Sequence, residues 1–297
     1  ILSLFDGMSC GQIALRRNGV KIDKYYASEL DKFAIQVTQD NHPDTIQLGD
    51  VTKWKDWDID WASIDLLIGG SPCQGFSFAG NQMAFDDPRS KLFFVYVDIL
   101  NHIEDLNPNI KFLLENVRMK KQYLDIISDY LDVEPVFINS SLVSAQNRQR
   151  YYWANWDITQ PADKEIMLKD IVEKGVVNRD KAYCIDANYW KGGSLKMYFQ
   201  KSRRQLVFEA KNGKAVTINP EDIYQPRAQP HNKANCIVTV DSFLNWVIDT
   251  DFFCRKLTPV ECERLQTVPD NYTKKVSNSQ RYKMLGNGWT VYVISHI

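Results

Sequence analysis

The sequence lacks any long hydrophobic run. No apolar stretch among its 297 residues reaches the ~18 residues of a membrane-spanning helix, and no basic leader precedes the first apolar residues. The six cysteines include no CxxC pair and the four histidines form no HExxH motif, which argues against zinc and against a disulfide framework. We therefore expect a cytoplasmic protein that binds neither membrane nor metal. Because the chain lacks an initial Met and stops inside the apolar stretch 291–297, we also expect a few residues to be missing at both ends.

A strong net charge is also lacking, but the charged residues are unevenly distributed. Residues 1–139 carry 13 Lys and Arg against 21 Asp and Glu, whereas residues 140–215 carry 14 against 8 and the remainder carries 9 against 8. A basic middle segment thus interrupts an acidic scaffold, which favours contact with nucleic acid. A solvated charged face gives the same pattern, so charge alone leaves both interpretations open.

Short β-rich runs alternate with helical patterns through the first half of the chain. Strands are predicted at 1–4, 24–27, 46–48, 64–68 and 112–114, and helices at 12–18, 32–41, 91–102 and 120–130. This order predicts an α/β fold with a parallel sheet covered by helices on both faces, in which ligands bind beyond the carboxyl ends of the strands. Mixed basic and aromatic sequence follows from about 157 to 251. Helical signals return after 257, where Thr258, Pro259 and Glu261 predict a helix start.

Acidic residues and glycines follow the first three predicted strands. The stretch FDGMSCG at 5–11 comes after the first strand, Glu29 ends the second and Asp50 follows the third. Glycine lets a backbone approach a ligand, and an acid after the second strand commonly binds ribose hydroxyls, which favours a nucleoside-containing cofactor. Each acid could equally be a helix cap or a turn residue.

A cysteine follows the fourth predicted strand and a glutamate follows the fifth. Cys73 lies in the glycine-rich stretch GGSPCQGFS at 69–77, and Glu115 opens the stretch ENV. A lone cysteine is more often buried filler than a nucleophile. Neighbouring strands nevertheless bring Cys73 and Glu115 to the same edge of the sheet, where a thiolate could reach a substrate.

Six motifs in this order resemble those of the C5-cytosine DNA methyltransferases along the whole chain. They are FDGMSCG at 5–11, SPCQ at 71–74, ENV at 115–117, QNRQR at 146–150, LTP with Glu261, Arg264, Leu265 and Gln266, and GNG at 286–288. The wording of the first motif and Trp289 in GNGWTV resemble the branch of the animal de novo methyltransferases. The resemblance implies a Rossmann-like methyltransferase sheet in residues 1–156, a smaller target-recognition domain in residues 157–254 and a return segment in residues 255–297 that completes the catalytic domain.

The resemblance also implies methylation of carbon 5 of a flipped-out cytosine in a specific DNA sequence. A thiolate at Cys73 would add to carbon 6 of the base and so make carbon 5 nucleophilic. Arg148 would help to ionise this thiol, Glu115 would relieve the charge at ring nitrogen 3, and Arg150 would hold the ring carbonyl oxygen. The sequence does not identify the base that removes the proton from carbon 5.

S-adenosylmethionine is the cofactor that the resemblance implies, with S-adenosylhomocysteine as the product. Phe5 would stack on adenine, Glu29 would bind the ribose hydroxyls and Asp50 would bind the exocyclic amine. The remaining cofactor contacts implied are Asp6, Gly7, Met8, Ser9, Cys10, Gly11, Val51, Pro72, Asn287 and Trp289.

Double-stranded DNA is the expected partner, because a cytosine inside a duplex must be flipped out before Cys73 can reach it. The predicted DNA contacts are Gln74, Ser77, Lys201, Arg203 and Arg204. The last three, flanked by Tyr198 and Phe199, form the densest cationic and aromatic cluster of the basic segment. We expect a monomer, associated with the nucleoid if its source is bacterial or a phage, with a cognate restriction endonuclease as a candidate partner.

Three other functions remain open at this point. A transfer RNA cytosine methyltransferase shares these motifs, although the Cys-Phe-Thr motif of that branch is absent. A non-catalytic relative would bind DNA or a partner methyltransferase, although such relatives usually lose the nucleophile or the cofactor loop. A nicotinamide-dependent Rossmann enzyme explains the first strand and its loop but leaves the Cys, Glu and Arg motifs unexplained.

Overall fold

A computed structural model of the chain describes residues 1–72, 91–192, 195–210 and 252–297. Within them, seven strands form one mixed sheet, and two smaller sheets have two strands each. In chain order the strands are β1 (Leu2–Leu4), β2 (Tyr26–Ser28), β3 (Ile46–Gln47), β4 (Leu66–Gly69), β5 (Lys111–Val117), β6 (Val136–Asn139), β7 (Gln146–Asn147), β8 (Gln149–Ala154), β9 (Ala182–Tyr183), β10 (Leu206–Ala210) and β11 (Phe252–Lys256). The first five correspond to the five predicted strands.

The described residues also form α-helices, most of which pack against this sheet. They are α1 (Cys10–Arg17), α2 (Lys32–Asn41), α3 (Lys91–Leu106), α4 (Lys121–Leu131), α5 (Leu168–Ile171), α6 (Leu195–Lys201), α7 (Pro259–Leu265), α8 (Asn278–Asn287) and α9 (Val291–His296). The four helices predicted in the first half correspond to α1 to α4. Strands β3 and β4 are instead connected by two 3-10 helices, Val51–Asp56 and Trp61–Ser63.

The main sheet has the strand order β3-β2-β1-β4-β5-β8-β6. Strands β1 to β5 pair in parallel, as predicted, whereas β8 pairs antiparallel with both β5 and β6. A parallel pair needs a crossover of a dozen or more residues, and the stretch 140–148 between β6 and β8 is shorter than that. The chain therefore turns back, and β8 runs against its neighbours beside β5.

Helices cover both faces of the sheet, which confirms the predicted α/β architecture. Along β5, Leu113 packs into one core while Phe112 and Leu114 pack into the other, as the alternation of side chains in a strand requires. The first core also contains side chains of α1, α2 and α9, and the second contains side chains of α3 and α4. Among the described residues, no helix is both long enough and apolar enough to cross a membrane.

The segment after β11 folds back onto the first half of the chain. Helix α7 begins as predicted, with the Thr258 hydroxyl accepting from the Glu261 amide and the Glu261 carboxylate accepting from the Thr258 amide at 2.7 Å. The Asn18 side chain at the end of α1 donates to the Ser295 carbonyl of α9 at 2.6 Å. The second contact joins α9 to the end of α1.

The described part of residues 157–254 is divided between two cores. Leu168, Ile185 and Tyr189 belong to the first core of the main sheet. Tyr198 and Phe208 belong to a separate small cluster beside β10 and β11. The predicted boundary after residue 156 therefore lies within a continuous packed region, and the division into domains stays a prediction.

Candidate active site

The residues that follow the first four strands lie along one edge of the sheet. Because β1 to β5 are parallel, their carboxyl ends meet there, bringing together residues 5–11, Glu29, Asp50, residues 71–72 and Glu115. Cys73, Gln74 and Ser77 lie outside the described residues, but Pro72, which precedes the cysteine, lies at this edge. The Asn116 side-chain amide donates to the Ser71 hydroxyl at 3.3 Å, so the start of the cysteine segment is tied to β5.

Glu115 and Arg150 form an ion pair at this edge. Arg150 Nε lies 2.7 Å from Glu115 Oε1, and the two side chains are only 13% and 11% exposed. In the β5–β8 register Glu115 faces Tyr152 and Val117 faces Arg150, so both charged side chains project from the same face. The other carboxylate oxygen, Oε2, accepts from the indole Nε1 of Trp289 at 3.1 Å. The structure thus brings together Glu115, Arg150 and Trp289, three residues that the sequence predicts for the site.

Arg148 is buried and contacts the turn after α8. Its Nη2 donates to the Gly288 carbonyl at 2.9 Å and to the Gly286 carbonyl at 3.2 Å, and its Nη1 donates to the Ile185 carbonyl at 3.2 Å. Through these hydrogen bonds, the Arg148 guanidinium fixes the backbone beside Trp289. Its predicted effect on the thiol of Cys73 stays a prediction, because that thiol lies outside the described residues.

Two buried glutamines fix the same turn, and the sequence motifs gave them no role. Gln266 donates to the Leu285 carbonyl at 2.6 Å and to the Gly288 carbonyl at 3.0 Å, and its own side-chain oxygen accepts from Gln146 at 2.9 Å. Gln146 and Gln266 both belong to motifs of the sequence, and this membership is the only sign in the sequence that they matter. The spacing of the motifs does not predict which distant residues they hydrogen-bond.

The loop between β1 and α1 has an unusual backbone. Phe5, Gly7 and Ser9 have φ values of 57°, 61° and 59°, in the left-handed region that favours glycine. The carboxylate of Glu29 accepts from the Gly7 amide at 2.8 Å and from the amides of Leu30 and Asp31 at 2.7 and 2.8 Å. These hydrogen bonds of Glu29 fix the position of the loop relative to the end of β2.

Side chains in the middle of this loop point into the protein. Met8, Ser9 and Cys10 are 1%, 0% and 3% exposed. Burial raises the pKa of the Cys10 thiol to about 12, so this cysteine is not a nucleophile at neutral pH. Any contact of these three residues with a cofactor is therefore through their backbone, while Asn287 at the end of α8 is exposed.

Asp6 is half-buried, and its carboxylate is surrounded by hydroxyl groups. It accepts from Ser3 Oγ at 2.6 Å, from the Tyr25 hydroxyl at 2.9 Å and from Ser9 Oγ. Burial raises the pKa of Asp6 to about 6, against the lowering effect of these hydroxyls. These hydrogen bonds let the Asp6 side chain fix the shape of the loop, and Tyr25, which the motifs did not include, is one of its partners.

Asp50 and Val51 follow β3 and start a 3-10 helix. The Asp50 carboxylate accepts from the amide and the hydroxyl of Thr52 at 2.9 and 2.8 Å, and the Thr52 amide lowers the pKa of Asp50. Asp50 is half-buried and Val51 is 5% exposed. Asp50 thus caps a helix, as one of the open interpretations proposed, while an edge of its carboxylate remains accessible.

Replacing Asp6 by Asn is expected to make the stability of the protein less sensitive to pH between about 4 and 6. An unfolded Asp titrates near pH ~3.9, so in this window the folded protein binds a proton that the unfolded chain has lost. The free energy of unfolding of the unmodified protein should therefore fall as pH rises, by on the order of 3 kcal/mol relative to the variant. Urea unfolding at a series of pH values measures this difference.

The control for this measurement is Asp44→Asn, which changes an exposed aspartate. Its stability should follow the pH dependence of the unmodified protein. Parallel curves for Asp6→Asn and the unmodified protein would contradict the assignment of the titration to Asp6.

The predicted DNA contacts after α6 differ in their accessibility. Lys201 is exposed, and Arg203 is 52% exposed and lies 3.1 Å from an Asp186 carboxylate oxygen. The Arg204 guanidinium donates to the Gly192 carbonyl. Tyr198 is fully buried and so does not present its ring beside these cations at the surface, and the Phe199 side chain lies outside the described residues. The aromatic ring of Tyr198 packs in the small core beside β10 and β11.

The described residues of this edge do not include a cluster of metal ligands. Within residues 1–72, 91–192, 195–210 and 252–297, no group of three or more His, Cys, Asp or Glu side chains could hold a metal ion.

Known proteins have sequences similar to this one. A family model described as C-5 cytosine-specific DNA methylase matches residues 1–297. The type II methyltransferase M1.ScrFI of Lactococcus lactis subsp. cremoris is 29% identical over 319 residues, covering 100% of this chain and 76% of that protein. The type II methyltransferase M.HpaII of Haemophilus parainfluenzae is 30% identical over 333 residues, covering 99% of this chain and 86% of that protein.

Solved structures share the fold over almost the whole chain. The Entamoeba histolytica methyltransferase EhMeth has a TM-score of 0.67 at 15% identity, with 99% of this chain and 95% of that chain covered. The Spodoptera frugiperda DNMT2 has a TM-score of 0.63 at 19% identity, with 99% and 96% covered. At these identities the likeness shows the fold. The chain belongs to the C-5 cytosine-specific DNA methylase family and is a DNA cytosine-5 methyltransferase.

Proposed function

We propose that this methyltransferase modifies a flipped-out cytosine in a specific DNA sequence through a covalent adduct between Cys73 and carbon 6 of the base. The observation that carries the proposal is the Glu115–Arg150 ion pair, with its 2.7 Å contact, at the carboxyl edge where the segment leading to Cys73 begins. A carboxyl group and a guanidinium side by side match the ring nitrogen and the carbonyl oxygen of a cytosine. Both side chains are nearly buried, so their interactions with a base would be little screened by water.

The chemistry divides between three side chains. The Cys73 thiolate forms a bond to carbon 6, and the electron pair displaced from the 5,6 double bond makes carbon 5 nucleophilic. Glu115 stabilises the charge at ring nitrogen 3 by proton donation or hydrogen bonding, and Arg150 holds the carbonyl oxygen. After carbon 5 has gained the methyl group, a base removes its proton and the thiolate leaves carbon 6, which restores the double bond.

S-adenosylmethionine supplies the methyl group in this family and leaves as S-adenosylhomocysteine. The edge of the sheet fits this cofactor, because no described atom lies within 4 Å of where a Cβ on Gly7 or Gly49 would stand. The half-buried Glu29 carboxylate would bind the ribose hydroxyls and Asp50 the exocyclic amine. Phe5 would stack on adenine, and the backbone of residues 7–11 together with Asn287 would meet the methionine end.

The target-recognition domain is proposed for residues 157–254, between the QNRQR and LTP motifs. Extrusion of the cytosine requires a module that binds the duplex and fills the gap that the base leaves in the helix. The basic segment supplies positive charge that can bind the phosphates. Gln74 and Ser77 follow the nucleophile and would contact the DNA beside the flipped base. We place the active protein as a monomer in the cytoplasm, with a cognate restriction endonuclease as its partner.

Methyl transfer from labelled S-adenosylmethionine to duplex DNA tests this function. Unmodified duplex DNA should accept label and total transfer RNA should not. Bisulfite sequencing of DNA from cells that express the chain should then show methylation at cytosine within one short sequence. Label in transfer RNA alone would favour a transfer RNA methyltransferase, and label in neither would favour a non-catalytic relative.

Replacing both Arg203 and Arg204 by Ala is expected to weaken DNA binding and to reduce its salt dependence. Each lost phosphate contact lowers the slope of log affinity against log salt by about 0.9, so the slope should fall by roughly 1 to 2. Fluorescence anisotropy with a labelled duplex at several salt concentrations measures affinity and slope together.

A matched control for this experiment is Lys21→Ala, which removes a highly exposed cation paired with Asp23 after α1. Its affinity and salt slope should equal those of the unmodified protein. Unchanged values in the double arginine variant would refute the phosphate contact.

A further inference from the structure

Trp289 occupies a position between the acid of the site and the cofactor loop. Its indole Nε1 donates to Glu115 Oε2 at 3.1 Å, while Arg150 Nε lies 2.7 Å from Oε1. The carboxylate therefore has a separate donor on each oxygen. A planar group held at both oxygens has little freedom to rotate about its terminal bond.

The indole of Trp289 fits beside two glycines because neither has a side chain to fill that space. A Cβ on Gly70, at the end of β4, would lie 2.9 Å from the indole nitrogen and 3.0 Å from Glu115 Oε2. A Cβ on Gly11, in the first turn of α1, would lie 3.5 Å from the six-membered part of the same ring. Any side chain at position 70 would therefore push against the hydrogen bond between Trp289 and Glu115.

The backbone on both sides of Trp289 is fixed by buried side chains. The Gly288 carbonyl accepts from Arg148 at 2.9 Å and from Gln266 at 3.0 Å. The Thr290 hydroxyl donates to the Gln266 side chain at 3.0 Å. The indole is thus presented to Glu115 from a rigid turn, which is the arrangement expected of a residue that orients another.

We propose that Trp289 is a positioning residue that holds the Glu115 carboxylate in the orientation required at ring nitrogen 3 of the cytosine. The inference rests on the proposed function and adds to it a part played by the last motif of the chain. It differs from the contact with cofactor that the resemblance implies for Trp289, because the polar atom of the ring is used by Glu115. Methyl transfer should therefore depend on the indole N–H and not only on the bulk of the ring.

The substitution Trp289→Phe tests the proposal, because it keeps an aromatic ring in the slot and removes the N–H donor. A hydrogen bond to a charged group that is lost in this way should lower kcat by about 10- to 100-fold. The KM for S-adenosylmethionine and the Kd for DNA should change by less than about 3-fold, because neither ligand uses this donor. The control Trp156→Phe removes an indole N–H that donates to the Ile297 carbonyl at 3.1 Å and should leave kcat unchanged.

A double-mutant cycle separates positioning of Glu115 from a general effect on packing. If Trp289 acts through Glu115, then Trp289→Phe should cause no further loss in single-turnover rate once Glu115 is replaced by Gln. Equal losses in both backgrounds, or a raised KM for the cofactor with unchanged kcat, would overturn the proposal. Absence of methyl transfer by the unmodified protein would instead refute the proposed function, so the two failures are distinguishable.

Discussion

Replacing Cys73 by Ser is expected to reduce methyl transfer to DNA by roughly 10⁴-fold or more. A thiol with a free pKa of ~8.5 supplies a usable fraction of thiolate at neutral pH, whereas a serine hydroxyl supplies almost no alkoxide. Without addition at carbon 6, carbon 5 of cytosine stays a poor nucleophile and the methyl group is not taken up. Single-turnover transfer of labelled methyl groups to a duplex that contains the target sequence measures the loss.

The matched control is Cys254→Ser, because Cys254 is a free, half-buried cysteine on β11. This variant should transfer methyl groups at the rate of the unmodified protein. The Cys73→Ser variant should still bind cofactor and DNA, since the reaction and not the binding needs the thiolate. Retention of methyl transfer in Cys73→Ser would disprove the covalent mechanism.

Replacing Glu115 by Gln should lower kcat by about 10²- to 10⁴-fold, the usual contribution of a positioned acid or base. The amide has the shape of the carboxylate but cannot give a proton to ring nitrogen 3, and it leaves Arg150 without its 2.7 Å ion-pair contact. The second effect can also destabilise the fold, since removal of one member of a nearly buried ion pair is costly. Steady-state kinetics should therefore be measured together with the melting temperature.

Glu209→Gln is the control for this substitution. Glu209 is also nearly buried and lies 2.6 Å from Arg255 Nε, so the change removes a similar ion pair away from the edge of the sheet. Its melting temperature should fall while kcat of the folded protein is kept. An equal loss of kcat in both variants would assign the effect of Glu115→Gln to stability and not to chemistry.

The elements that could be predicted are those with a local signal. Helix α2 was predicted at 32–41 and extends over Lys32–Asn41, because Asp31 caps it and the Phe33 amide donates to the Asp31 side chain. Helix α7 likewise begins where Thr258, Pro259 and Glu261 predict. The placement of Glu115 at the carboxyl edge followed from the order of strands alone, since parallel neighbours end at the same edge.

What could not be predicted depends on contacts between distant parts of the chain. The ion pair of Glu115 with Arg150 follows from the antiparallel pairing of β8, which no periodicity in the sequence announces. Tyr198 packs against Tyr183 and Phe208 because β10 and β11 close a small core around it, and its neighbours in sequence do not indicate this packing. The motifs identify Arg148 but do not disclose that its guanidinium is bound to the carbonyls of Gly286 and Gly288.

The hydrogen bond from Trp289 to Glu115 joins residues 174 positions apart in sequence. A ribosome that has already made the strands with Glu115 and Arg150 has not yet made the indole that donates to Glu115, nor the turn that Arg148 and Gln266 hold. Contacts of such long sequence separation also form late when a chain folds, because the entropy of closing the loop must be overcome first. On the proposal that Trp289 positions Glu115, the acid reaches its catalytic orientation only after the turn that contains Trp289 has been made and has packed beside β5.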